Sequence, residues 1–174
     1  MNSITASWEA RVAELWSNFD RYEPEAFVSQ IESLASELPT GSAVAQFERG
    51  SAQDSTGHPD IAIPLYRAAL KSGLSGLRRR RATIQLASSM RNLGKAQEAA
   101  DLLSAELPAP SDELDGAVQA FLALALVDLG REREAVAHSL IALSRYLPRY
   151  NHSLARYANE VAPVHAPASR TSAA

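Results

Sequence analysis

The chain has 174 residues, 46% of them apolar and 21% charged, which is typical of a folded domain and excludes disorder for most of its length. Its net charge of -3 gives no general attraction to nucleic acid or to anionic membranes. The absence of cysteine excludes disulfides, thiolate metal ligands and cysteine nucleophiles. Because the chain carries no basic leader followed by an apolar run and no apolar run of membrane-spanning length, we expect a soluble cytoplasmic protein.

The first predicted elements are two amphipathic helices. The first helix carries apolar side chains at helical spacing, namely Trp8, Val12, Leu15, Trp16 and Phe19. The second begins at Pro24, a residue that suits the first turn of a helix, and its apolar stripe is Phe27, Ile31, Leu34 and Leu38. Turn-forming residues at 39–42, 72–76 and 108–111 then separate one predicted helix pair from the next.

The remaining pairs follow a repeat. Glycines occur at 57, 94 and 130 and alanines at 62, 99 and 135, so the spacings are 37 and 36 residues. We expect each glycine to end the first helix of a pair in the left-handed conformation. The small alanine then lets the two helices approach, so leucine should disturb the pair at Ala99 and be better tolerated at Ala100.

The repeat predicts one domain over 1–162, with a disordered tail over 163–174. Its repeats are about 7–38, 42–74, 79–110 and 112–148, followed by a closing helix at about 150–161. The first repeat lacks the glycine, which makes it a degenerate copy.

These positions resemble the tetratricopeptide repeat. Each turn glycine is counted as position 15 of the unit. Position 8 is then a small residue in three repeats, namely Gly50, Ala87 and Ala123. Position 20 is alanine in the same repeats, namely Ala62, Ala99 and Ala135. The repeats depart from the pattern at Glu106 and Ser139. The slightly long repeats are similar to bacterial members of the family. The resemblance implies an all-α, right-handed superhelical stack of antiparallel helix pairs with a capping helix, which binds proteins or peptides in a groove lined by the first helices.

Catalytic chemistry is not indicated. No two of the four histidines lie three to five residues apart, as a helical metal pair requires: His58, His138, His152 and His165. The acidic residues Asp112, Glu113 and Asp115 open a predicted helix, where they complement its dipole. No phosphate-binding glycine loop is present. We therefore expect no catalytic residue, no metal and no cofactor, and a protein that is not an enzyme.

The run Arg78 to Arg81 is the unusual local feature. It is either a solvated helix start whose alkyl stems pack on neighbours, or a contact for an anionic partner. Nucleic acid is the least favoured partner because one short run supplies few phosphate contacts. The resemblance places Arg81 on the groove, and the partner-binding residues that we predict are Arg81, Gln85, Ser88, Arg91, Asn92, Phe121 and Leu124.

An apolar face at Phe121, Leu124 and Val127 needs a cover, since monomers seldom leave large apolar patches in water. Either the closing helix folds back over this face, which we expect, or a second chain or a ligand covers it. The sequence therefore predicts an adaptor for a protein or peptide of unknown identity. The alternative is a small oligomerising or regulatory module whose groove is filled by its own helix or by a twin subunit in a homodimer.

Overall fold

The computed structural model describes residues 4–164, and within this range the chain is helical and contains no strand. The helices are α1 Ala6–Ser17, α2 Pro24–Ser36, α3 Ala43–Ser55, α4 Pro59–Lys71, α5 Gly76–Asn92, α6 Ala96–Ser104, α7 Asp115–Asp128, α8 Glu132–Ser144 and α9 Asn151–Val161. The predicted all-α class of consecutive helix pairs is confirmed.

The predicted turns lie at the three glycines. Gly57, Gly94 and Gly130 follow α3, α5 and α7 with φ of +88°, +76° and +70°. After each of the three, the next amide closes the turn, as the Lys95 N–H does by donating to the Met90 carbonyl at 2.9 Å. A Cβ at any of these glycines would meet no atom within 4 Å, so glycine is required by the backbone conformation and not by crowding.

The chain divides into two compact units, an N-terminal unit Met1–Ser89 and a C-terminal unit Met90–Ala174. In the N-terminal unit, a short 3-10 helix at Phe19–Arg21 replaces the glycine turn of the degenerate first repeat. Aromatic rings hold this repeat together, because Phe27 lies edge-on to Trp16 and Phe19 at centroid distances of 4.8 and 4.7 Å. Phe27 is wholly buried, so the aromatic stripe predicted from the sequence forms this part of the core.

In the C-terminal unit, α9 packs against α8. The contact is a cluster of small and branched side chains, namely Ala137, Ile141, Ala158, Ala162 and Val164. Arg133 on α8 also donates from Nη2 to the carbonyl of Val161 at the end of α9, at 2.9 Å. A cation at this position satisfies a terminal carbonyl and complements the helix dipole.

This arrangement overturns one expectation about the closing helix. α9 does not fold over the face of Phe121, Leu124 and Val127, because Leu124 remains 44% exposed and Val127 51% exposed. Its small residues pack beside Ala137 and Ile141 on α8 instead. Val164 is buried in the same cluster, so packing extends past the predicted boundary at residue 162; the rest of the predicted tail, 165–174, lies outside the described residues.

Candidate functional site

Three predicted contact residues share one face of α5. Arg81, Gln85 and Ser88 are separated by four and three residues, which brings side chains to the same side of a helix. We refer to these three as the α5 polar face. Gln85 Oε1 accepts a hydrogen bond from Ser51 Oγ of α3 at 3.4 Å, and Ser88 is half-buried. The three residues are therefore neighbours on one side of a helix within the N-terminal unit.

Arg81 is the exposed end of this face. Its guanidinium carbon lies 5.3 Å from the centre of the Phe47 ring, and Phe47 is wholly buried. A cation over an aromatic face is held by the ring quadrupole, so the side chain has a supported position. Within residues 4–164, no carboxylate forms an ion pair with Arg81 at contact distance, although Glu48 is near enough for the Arg81 charge to oppose the rise of the Glu48 pKa. Its charge is therefore held in place but not neutralised by direct contact.

The neighbouring Arg78 has a different role. Its Nη1 donates to Glu9 Oε1 at 2.8 Å and its Nε to Glu48 Oε1 at 3.2 Å. The hydrogen bonds from Arg78 lower the pKa of Glu9. Burial raises the pKa of Glu48, against the opposing effects of Trp16, Arg78 and Arg81. Arg78 is thus an internal connection between α1, α3 and α5.

The arginine run is therefore not a uniform basic patch. Arg80 is buried, and Arg78 and Arg79 are partly buried, which leaves Arg81 as the exposed member of the run. The sequence left two interpretations open, packed stems or an anion contact. Arg78, Arg79 and Arg80 fit the first, and only Arg81 has the exposure that the second requires.

A buried polar cluster lies in the same unit and was not predicted from the sequence. The carboxylate of Asp54 accepts hydrogen bonds from Ser89 Oγ at 2.8 Å and from the Tyr66 hydroxyl at 3.3 Å. Burial raises the pKa of Asp54 and also that of Tyr66. Because both hydroxyls donate inward, this cluster links α3, α4 and α5 and serves the packing of the unit.

The other predicted contacts lie in the C-terminal unit. Arg91 forms an ion pair with Asp128, with Nε 2.7 Å from Oδ2, and Asn92 is the exposed last residue of α5. Phe121 on α7 is half-buried, while Leu124 is exposed. Arg91 is therefore already paired within the chain, whereas Leu124 is open to a partner.

Between Asp115 and Asp128, the exposed side of α7 is entirely apolar. Its residues, which we call the α7 apolar face, are Ala117, Ala120, Phe121, Leu124 and Val127. No charged residue occurs between Asp115 and Asp128, and the one strongly polar side chain, Gln119, is buried with its Oε1 3.2 Å from His138 Nδ1. The two alanines were not predicted as site residues, because a methyl side chain gives no sequence signal of a binding site.

Residues 4–164 contain neither a metal-ligand cluster nor a membrane-spanning helix. No group of three or more histidine, aspartate or glutamate residues in that range could hold a metal ion. Among the same residues, none of the helices has the length and apolar character needed to span a bilayer.

Comparison with known proteins gives a family match. The family model described as tetratrico peptide repeat matches residues 43–161, which is more than half of the chain. The matched segment begins at the first residue of α3 and ends at the last residue of α9, so the degenerate first repeat lies outside it. No curated protein and no solved structure matches the chain significantly.

Proposed function

We propose, since the chain belongs to the tetratricopeptide repeat family, that it acts as an adaptor that binds a protein or a peptide. The family is generally a module for protein interaction and not for catalysis. The finer assignment to particular residues is our proposal, and it rests on the surfaces of α5 and α7.

The observation that carries the proposal is the environment of Arg81. A cation that is exposed, supported by the Phe47 ring and without an ion-pair partner among the described residues is arranged to receive an anionic group. Arginine can bind a carboxylate through two parallel hydrogen bonds, so an acidic side chain is the group that fits best. Gln85 and Ser88 on the same face supply hydrogen-bonding groups for the backbone of such a peptide.

The remaining predicted contacts belong to the C-terminal unit, and we propose them as protein contacts in their own right. Asn92 offers an exposed amide, and Phe121 and Leu124 offer apolar contact. Arg91 contributes less, because Asp128 already occupies its guanidinium. The partner class that we propose is therefore a peptide with an acidic residue near the α5 polar face, and we propose neither a catalytic role nor a cofactor.

Binding to an array of peptides with systematically varied charge tests the proposal. The wild-type protein should retain acidic peptides, and Arg81→Glu should lose them. The matched control is Arg149→Glu, which makes the same charge change at another exposed arginine. Equal binding of acidic and basic peptides, or equal loss in both variants, would exclude Arg81 as the contact.

A further inference from the structure

The α7 apolar face has the spacing of a helix-packing seam. Its positions Ala117, Ala120, Leu124 and Val127 are separated by three, four and three residues. This alternation is that of the a and d positions of a coiled coil, in which each side chain inserts between residues of a facing helix. The partner that fits such a seam is another helix.

The order of side-chain sizes along the seam makes it complementary to itself. The two residues near the N-terminal end are alanines, and the two near the C-terminal end are Leu124 and Val127. If two α7 helices pack antiparallel, Ala117 lies opposite Val127 of the second copy and Ala120 lies opposite Leu124. Each large side chain then meets a small one, which is how packed layers fill space without voids. A parallel pair would instead place alanine against alanine and leave a gap.

The charges at the two ends of the face also favour the antiparallel pair. Asp115 is paired with Arg145 at one end and Asp128 with Arg91 at the other, so the charges that flank the seam are compensated within each copy. The twelve residues between the two aspartates carry no charge, so pairing buries none. In the antiparallel arrangement the Asp128 carboxylate of one copy also lies beside the positive end of the partner's α7 dipole.

We infer that the α7 apolar face is a homodimer contact in which two copies of α7 pack antiparallel around a two-fold axis near residue 122. The inference rests on the proposed function, because it names the partner of the apolar contacts Phe121 and Leu124 as a second copy of this chain. The α5 polar face remains the contact for a peptide. A two-fold contact uses the same patch on both copies, as this self-complementary seam requires.

The expected dimer is weak. α7 has 14 residues and is therefore about 21 Å long, and a single helix seam of that length lies at the small end of specific interfaces. Detection should combine a measurement at high protein concentration with covalent trapping.

Single-cysteine variants test the geometry, because the natural chain has no cysteine and needs no background mutation. We would prepare Ala120→Cys and Leu124→Cys, oxidise each alone and then as an equal mixture, and measure the disulfide-linked dimer on a non-reducing gel. The antiparallel seam brings position 120 of one copy to position 124 of the other. The mixture should therefore give several-fold more dimer than either variant alone. Equal cross-linking of each variant alone, or none in the mixture, would overturn the inference.

Sedimentation velocity over a range of concentrations supplies a second measurement. The wild type should associate as concentration rises, and Leu124→Glu should not. The matched control is Leu143→Glu, because Leu143 on α8 is 49% exposed against 44% for Leu124, and it should associate as the wild type does. Helical circular dichroism establishes that both variants fold. A wild type that stays monomeric, or equal effects of the two variants, would overturn the inference. Loss of acidic-peptide binding in Arg81→Glu is measured separately, so the proposed function can fail or hold on its own.

Discussion

At the scale of single residues, Gly50 is a position in the N-terminal unit where close packing leaves no room for a side chain. A Cβ at this position would lie 2.9 Å from Cδ1 of Tyr66, whose ring is wholly buried. Since that ring is also held by its hydrogen bond to Asp54, Gly50→Ala should destabilise the fold by about 1–3 kcal/mol, measured by urea unfolding.

The matched control is Gly116→Ala at the start of α7. There the new Cβ would also come within 2.9 Å of a tyrosine, but the contact atom is the hydroxyl of Tyr146, which is mostly exposed and free to turn away. Because alanine is favoured over glycine within a helix by up to about 1 kcal/mol, this variant should be neutral or slightly stabilised. Equal losses in the two variants would show that Tyr66 is not the obstacle.

The buried His138 should make stability depend on pH. Burial lowers its pKa below 6.5, and the nearby Glu134 only partly opposes this. The unfolded chain therefore binds the proton first. The stability that neutral His138 contributes is complete above pH 6.5 and is lost as the pH falls through the lowered folded value. When the pH is lowered from 7.5 to about 5.5, the melting temperature should fall more steeply in the wild type than in His138→Gln. The exposed His152→Gln should keep the wild-type slope; if it flattens the slope as much, His138 is not responsible.

At the scale of helices, the repeat predicts that Ala99 is buried on α6, which the structure confirms. It does not predict the burial of Ala100, which is also only 2% exposed, so the burial of these residues gives no reason for leucine to be better tolerated there than at Ala99. A repeat pattern identifies the residue at the contact within a helix pair, which here is Ala99. It does not show that α6 is also buried on the side of Ala100.

Leucine at either alanine should therefore be damaging. Ala99→Leu and Ala100→Leu each add three carbons to a closed space and should lower the free energy of unfolding by about 1–3 kcal/mol in urea. Gln97→Leu is the control on the same helix, since Gln97 is exposed and loses only a surface hydrogen bond to Asp101 at 2.8 Å. A loss at position 97 equal to that at 99 would indicate that propensity or solubility, not packing, determines the result.

At the scale of the whole molecule, the sequence predicts local structure better than it predicts contacts between residues that are distant in the chain. The turn glycines were predictable because their conformation and their spacing are both properties of nearby residues. The pairing of Arg78 with Glu9 joins residues 69 positions apart, and no local pattern carries that information. Likewise, the apolar stripe of α9 fits any apolar face, and only the three-dimensional fit of Ala158 beside Ala137 selects α8. The α5 polar face followed from helical spacing, whereas its support by Phe47 did not.

Acid should destabilise the molecule through its surface ion pairs. Hydrogen bonds from arginine lower the pKa of four glutamates below 4.5, namely Glu9, Glu32, Glu37 and Glu134. Such groups contribute stability that is present above the unfolded value of 4.5 and is lost as the pH falls through the folded value. Burial raises the pKa of Glu48 and Asp54, so protonation of these two groups in acid acts in the opposite direction and offsets part of the loss from the four glutamates. The urea midpoint should therefore fall from about pH 4.5 towards about pH 3. Because the four glutamates are partly exposed, salt at about 1 M should reduce this fall by screening. A midpoint that stays constant over this range at low salt, or a fall that salt leaves unchanged, would contradict a stabilising role for the four pairs.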